Sequence, residues 1–215
     1  ARGEYEQAMQ RILVDNPLPT VTGMVCDHLC MQRCTRMNYE DALRIRDIKR
    51  FIAHKAGTCD FPAPPADIGR RVAIIGAGPA GLACAVALRL RGVAVDFYEA
   101  AADAGGMVMH AIPPFRLREE DFSTDMHRIM KLGVTIHYGH SVDAGEFKRL
   151  KSEYDALFVG TGAQADLLLN MPGRDRALAA LPFLAGIRKG ETGEIGPRVA
   201  IIGGGNSAMD AARAA

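Results

Sequence analysis

Residues 71–99, RVAIIGAGPAGLACAVALRLRGVAVDFYE, put an apolar strand, a glycine-rich turn, a helix and a second strand in direct succession, and that order leaves few folds open. Val72, Ala73, Ile74 and Ile75 form the continuous apolar run of a strand buried in a parallel sheet. The run meets Gly76, Gly78 and Gly81 in the spacing GxGxxG. Gly76 permits the tight turn, Gly78 lets backbone approach a pyrophosphate with no Cβ in the way, and Gly81 lets the helix pack closely on the strand. A helix starting there turns its free N–H groups and the positive end of its dipole toward phosphates. The helix runs to Gly92, VAVDFYE is the next strand, and Glu99 ends it 23 residues beyond Gly76. A carboxylate in that place accepts hydrogen bonds from an adenosine ribose. With all these parts in register, the stretch reads as a dinucleotide site rather than a glycine-rich turn in an ordinary α/β core.

Downstream, the pattern continues. Gly105-Gly106 allows backbone to pass close to a ligand, and Arg116 is the strong phosphate donor near the turn. A helix over 119–132 with Phe122, Met126, Ile129 and Met130 inward, the strand VTIHY, the helix GEFKRLKSEY and the buried strand ALFVG follow. Alternation of strand and helix predicts an α/β fold with a doubly wound sheet. After a less regular stretch from Gly173 to Pro197, PRVAIIGGGNSAMDAARAA repeats the opening pattern. A strand over Val199–Ile202 leads to Gly203 and Gly205, with Ala208 in the place of the third glycine. We read this as the start of a second dinucleotide site, whose ribose position falls beyond residue 215, so the residues do not separate NAD from NADP.

Ahead of the first strand, EYEQAMQRILV predicts an amphipathic helix, NPLPTVTG an extended linker, and residues 39–54 a second helix with Ala42, Ile45, Ile48, Phe51 and Ile52 inward. Pro62, Pro64 and Pro65 then mark a domain boundary. Three of the five cysteines, Cys26, Cys30 and Cys34, recur every fourth residue, which fits either one apolar helix face or thiolate ligands of iron–sulfur or zinc, with His28 as a candidate fourth ligand. The clustering favours a metal, and iron–sulfur over zinc. A net charge of +1 gives no sign of nucleic acid binding. No apolar run reaches the roughly 18 residues of a membrane span, and the N-terminus lacks a signal-peptide core, so a cytoplasmic location is expected. His110, His127, His137 and His140 read as structural or surface residues, and no Ser, His and Asp constellation for acid–base or nucleophilic chemistry is evident.

With both glycine motifs and the cysteine segment in view, the whole chain resembles the small subunit of glutamate synthase and the matching part of dihydropyrimidine dehydrogenase. The resemblance lies in NPLPTVTGMVC at the entry to an iron–sulfur module, in AIPPFRLR, and in GGGNSAMDAAR. It implies a small α-helical 4Fe-4S module over 1–69, a Rossmann-like FAD domain over 70–196 and the start of a Rossmann-like NAD(P) domain over 197–215. On that basis Gly76, Gly78, Pro79, Ala80, Gly81, Glu99, Gly106, Met107, Arg116 and Val142 contact FAD, and Gly203, Gly205, Asn206 and Ser207 contact NAD(P)H. Cys26, Cys30 and Cys34 ligate the cluster, further cysteines are expected upstream, and the chain is expected to be a fragment. Departures from the family are a shortened Cys26–Cys30 spacing, Asp27 where proline is usual, and Lys49, whose ammonium cannot ligate iron, in the place of a glutamine ligand. The implied activity is electron passage from NAD(P)H through FAD to iron–sulfur clusters and on to a catalytic or electron-accepting partner subunit. The alternative is a non-catalytic flavin- or zinc-binding docking module of a larger assembly.

Overall fold

The computed structural model describes residues 2–57, 59–165, 170–191 and 195–215. Four strands, β1 (Arg71–Ile75), β2 (Ala94–Tyr98), β3 (Thr135–His137) and β4 (Ala156–Val159), form a parallel sheet in the order β3-β2-β1-β4. β1 is central, pairing Ile74 with Phe97 on one side and with Phe158 on the other. Its side chains alternate between two layers. Val72 and Ile74 join Leu82, Ala85 and Val86 of α4 (Pro79–Arg89) in the main core, whereas Ala73 packs with Tyr98 and Leu150 on the opposite face. Leu150 belongs to α7 (Ala144–Glu153), the crossover from β3 to β4. The chain thus winds one way through β1, β2 and β3, then returns past β1 on the other face, giving the expected doubly wound plan with its switch point beside the β1–α4 turn.

The N-terminal part is helical, but its details differ from the sequence reading. α1 (Tyr5–Asp15) is as expected. The stretch read as extended linker instead contains α2 (Pro19–Val25). Proline suits a first helical position, and the Asp125 carboxylate caps the helix from a distance by accepting the N–H groups of Thr20 (3.2 Å) and Val21 (2.9 Å). The three cysteines do not share a helix: Cys26 follows α2, and Cys30 and Cys34 lie in and between two short 3₁₀ turns, Leu29–Arg33 and Thr35–Asn38. α3 (Ile45–Lys55) starts later than expected, and Ile45, Ile48 and Phe51 are exposed while Ala53 is buried, because the helix packs against α2 along its other side. There a Cβ on Gly23 would lie 3.0 Å from the Arg50 Cα, so the two backbones nearly touch.

α5 (Met107–His110) follows the Gly105-Gly106 loop, and α6 (Glu119–Met130) packs on both α4 and α2. Phe122 and Ile129 of α6 are inward as expected, but Met130 is exposed, and Asp121, Asp125 and Arg128 are buried instead. The stretch read as irregular holds α8 (Ala180–Arg188), and Arg188 donates to the carbonyls of Ile112 and Leu117, both at 2.7 Å. α9 (Asn206–Ala214) forms after the second glycine turn. Val199–Ile202, expected as its strand, pairs with no strand among the described residues, and Val199, Ile201 and Ile202 are exposed. A lone strand has no partners for its backbone groups. β4, expected to be buried, leaves Val159 exposed at the free edge of the sheet. Among the described residues, no helix is long and apolar enough to cross a membrane.

Candidate functional site

At the end of β1 the backbone of Gly76 takes φ +101°, and a Cβ there would lie 2.5 Å from the carbonyl oxygen of Gly160, the residue after β4. Neither condition admits a side chain. Gly81 is equally constrained, since its Cβ would sit 2.1 Å from the Gly76 carbonyl oxygen. Gly78 differs: its backbone is extended, and an added Cβ would meet nothing nearer than the Gly106 Cα at 3.8 Å. The fold itself places no demand for glycine at position 78, which is what a close external ligand would require. Pro79 and Ala80 open α4 at the surface, and no side chain caps the helix, so its first N–H groups and dipole end face outward.

The turn is held from two sides. The Glu99 carboxylate accepts the N–H of Ala77 (2.6 Å) and that of Ala101 (2.8 Å), and the Ala77 carbonyl accepts the N–H of Gly105 (2.9 Å). Each carboxylate oxygen keeps a second lone pair, so Glu99 is pre-aligned and still able to accept ribose hydroxyls. Gly106 brings its loop against the turn, where a Cβ would be 3.1 Å from the Gly78 Cα. Together these form a cradle that a Cβ would fill, which fits a dinucleotide. Val142 stands apart from it, packed with Ala73, Tyr98 and Leu150 on the far face of the sheet.

The second glycine turn repeats the first. Gly203 takes φ +124°, Gly205 caps α9 with φ −79° and ψ 174°, and the helix starts three residues after Gly203, as α4 does after Gly76. Gly78 caps α4 with φ −79° and ψ −178°. A cavity of about 220 Å³ between α2, α5, α8 and α9 draws in Met107 and Arg116 from the first site, and Asn206 and Ser207 from the second. Arg116 is not free there. Its guanidinium donates to Asp210 of α9 at 3.0 Å, and both side chains are mostly buried. The larger cavity, about 690 Å³ and bordered by Asp60, Glu119, His127 and Lys131, includes none of the expected site residues.

The cysteine segment adjoins the second turn, since Asn206 donates to the Asp27 carboxylate at 2.8 Å. All five cysteines are free thiols. Cys26 is half-buried, its sulfur accepts the His28 N–H at 3.4 Å, and its carbonyl accepts from Arg46 at 3.1 Å. His28 holds a left-handed conformation (φ 46°), and its ring Nδ1 lies 3.3 Å from the Cys26 carbonyl. Backbone hydrogen bonds from Leu43 and Arg36 hold the Cys34 thiol below its ordinary range, whereas burial pushes Cys59 and Cys84 up. Thiolates with backbone N–H groups turned on them suit metal ligation, and raised, buried thiols suit packing. Cys30 is exposed, and among the described residues no three Cys, His, Asp or Glu side chains converge on one point. In donor chemistry the segment fits a cluster as a partial ligand set, not as a closed cage.

Asp210 and Arg188 escaped the sequence reading. Asp210 carried a signal, four residues after Asn206 and so on the same side of its helix.

Residues 70–215 match the family described as Pyridine nucleotide-disulphide oxidoreductase, and residues 1–60 match Dihydropyrimidine dehydrogenase domain II, 4Fe-4S cluster. Among curated relatives, the NADPH-Fe(3+) oxidoreductase subunit beta of Geobacter sulfurreducens is 34% identical over 224 residues, covering 98% of this chain and 33% of that protein. The glutamate synthase [NADPH] small chain of Escherichia coli (strain K12) is 36% identical over 219 residues, covering 92% of this chain and 46% of that one. The chain spans between about a fifth and a half of the length of such relatives. The structure of FprA, a Mycobacterium tuberculosis oxidoreductase, superimposes with a TM-score of 0.60 at 27% identity, over 67% of this chain and 36% of that one, and FprA has also been solved in complex with NADPH. With the matched region taking up more than half of its length, the chain belongs to the pyridine nucleotide-disulphide oxidoreductase family.

Proposed function

We propose that this chain carries the flavin site and part of the nicotinamide and iron–sulfur sites of an NAD(P)H-dependent oxidoreductase, which passes electrons from NAD(P)H through FAD to a 4Fe-4S cluster and then to a partner subunit. The observation that carries this reading is the 220 Å³ cavity, where Met107 and Arg116 of the first dinucleotide site meet Asn206 and Ser207 of the second. Hydride transfer needs the two cofactors to meet at one place. A bound flavin supplies the conversion of a two-electron hydride donor into single electrons that an iron–sulfur centre can take.

In this reading the α4 N-terminus and the backbone at Gly78 bind the FAD pyrophosphate, Glu99 orients its ribose, and Gly106 and Met107 border it. Gly203, Gly205, Asn206 and Ser207 offer the nicotinamide cofactor a second helix N-terminus. Asp210 holds Arg116 away from solvent and fixes α9 over the first site. Cys26, Cys30 and Cys34 supply thiolates to the cluster. The subunit naming of the Geobacter sulfurreducens relative supports an electron-accepting partner.

Cys30→Ser tests the relay. In the full-length protein, prepared anaerobically with flavin and cluster, this change is expected to lower iron and acid-labile sulfide and to slow one-electron transfer from NAD(P)H to an artificial acceptor, while flavin reduction persists. Cys59→Ser and Cys84→Ser serve as controls with unchanged iron. Full iron, sulfide and transfer in Cys30→Ser would reduce these cysteines to packing residues.

A further inference from the structure

α6 carries two charged side chains into the core, Asp125 at 0% and Arg128 at 2% exposure. They bond to each other at 2.7 Å, but most of their capacity goes elsewhere. Asp125 accepts both open N–H groups at the start of α2. Arg128 donates to the carbonyls of Cys59 (2.9 Å) and Gly57 (3.1 Å) and to the Thr20 hydroxyl (3.2 Å). Every one of these outside partners lies in the N-terminal cysteine-bearing part, and both side chains lie on the dinucleotide-binding part. Around them, Lys131, which caps the end of α6, pairs with Asp60, and Arg118 pairs with Asp121.

A buried ion pair is a poor way to gain stability, because removing two charges from water costs about as much as their attraction returns, and apolar side chains of similar volume often do better. What charges add is direction. A carboxylate receiving two N–H bonds fixes the start of α2 in position and angle, and Cys26 caps the end of α2. At the other end of this path, α6 packs on α4, the helix that opens the flavin turn. Turn, α4, α6, α2 and Cys26 form one continuous chain of packed elements.

We infer that Asp125 and Arg128 are positioning residues that fix the cysteine segment at one distance and orientation from the flavin turn, so that transfer from flavin to cluster depends on them while flavin reduction does not. This rests on the electron relay proposed above. Single-electron transfer falls steeply with distance, whereas the meeting of the two dinucleotide turns is held by the Arg116–Asp210 pair, and the cavity between them takes only Val25 from the end of α2.

The decisive variant is the double change Asp125→Leu with Arg128→Met, which keeps an apolar fill of similar volume and removes direction. In the full-length protein it is expected to fold, to bind flavin and to be reduced by NAD(P)H at the wild-type rate, but to reduce its cluster at least tenfold more slowly. In the cofactor-free chain, amide exchange at Cys26, whose N–H bonds to the Thr22 carbonyl at 3.2 Å, is expected to rise at least tenfold while exchange in β1 stays fixed. Wild-type cluster reduction with unchanged Cys26 exchange would overturn the inference, and so would equal slowing of flavin and cluster reduction. If the double variant does not fold, Asp125→Asn, which keeps the shape and one acceptor, is read by the same measurements. If wild-type protein reduces no cluster at all, the relay itself fails, and exchange alone decides: a rise at Cys26 supports the positioning role and unchanged exchange refutes it.

Discussion

Gly78 and Gly81 stand one helical turn apart, yet a methyl group meets opposite surroundings at the two positions. At Gly81 it would press on the Gly76 carbonyl at 2.1 Å, inside the fold. At Gly78 it would find only ordinary contact at 3.8 Å, with an extended backbone that any residue adopts. Gly78→Ala is therefore expected to unfold within about 0.5 kcal/mol of wild type and to retain far less flavin, because its methyl group enters the space of the pyrophosphate. Gly81→Ala is expected to lose several kcal/mol, as overpacking against rigid backbone does. Chemical denaturation of the flavin-free proteins, together with released flavin measured by chromatography, checks both. Full flavin retention in Gly78→Ala would remove that residue from the phosphate site.

Among the elements, α2 shows how far the sequence can be read. The βαβ unit over 71–99 was legible because its strand, glycine spacing and C-cap are all local and agree with one another. α2 was not, because the group that caps it lies 105 residues away from Thr20, and its own residues, PTVTGMV, carry no strong helical signal. The stripe of Ile45, Ile48 and Phe51 had the period of a buried face, but the close contact at Gly23 turned α3 the other way. On α6, the charges at 121, 125 and 128 recur at helical spacing beside Phe122 and Ile129, which was the available sign of a polar inner face. The α2 cap also titrates. Burial pushes the Asp125 carboxyl up to about 6, against hydrogen bonds from Val21 and Thr20 and the charge of Arg128 that pull it down. The folded chain thus holds this proton more tightly than the unfolded chain, so the contribution is greatest below about pH 4 and is lost as pH rises through 6. Compared with Asp125→Asn, wild type is expected to lose up to about 3 kcal/mol of stability between pH 4 and pH 7. Urea unfolding of both cofactor-free proteins at the two pH values measures it, and a constant difference would show a carboxyl with an ordinary pKa.

At the scale of the whole molecule, the two dinucleotide turns are alike in backbone but unequal in support. The first is backed by a sheet on both sides of β1, while Val199–Ile202 lies exposed ahead of the second, with no strand paired to it among the described residues. The 215-residue chain is accordingly expected to bind flavin but to show no micromolar affinity for NADH or NADPH, since no paired strand backs the second turn among the described residues. Calorimetric titration decides it, and micromolar binding of either nucleotide would show that the second site is more complete than its strand pairing indicates.

The long reach from α6 to α2 also sets an order of events during synthesis. Thr20 leaves the ribosome 105 residues ahead of the carboxylate that caps its helix. At about 5–20 residues per second, that is a wait of about 5–20 s, in which α2 has no acceptor for its first amides and Cys26, Cys30 and Cys34 have no fixed arrangement. A metal centre inserted in that interval would be built on an unformed scaffold, and thiols left open for it would be exposed to oxidation. On the ligand assignment proposed above, Cys26, Cys30 and Cys34 reach their final arrangement only after a helix that contains none of them has been translated, and a translational pause before residue 125 is expected to lengthen that interval without altering the finished fold.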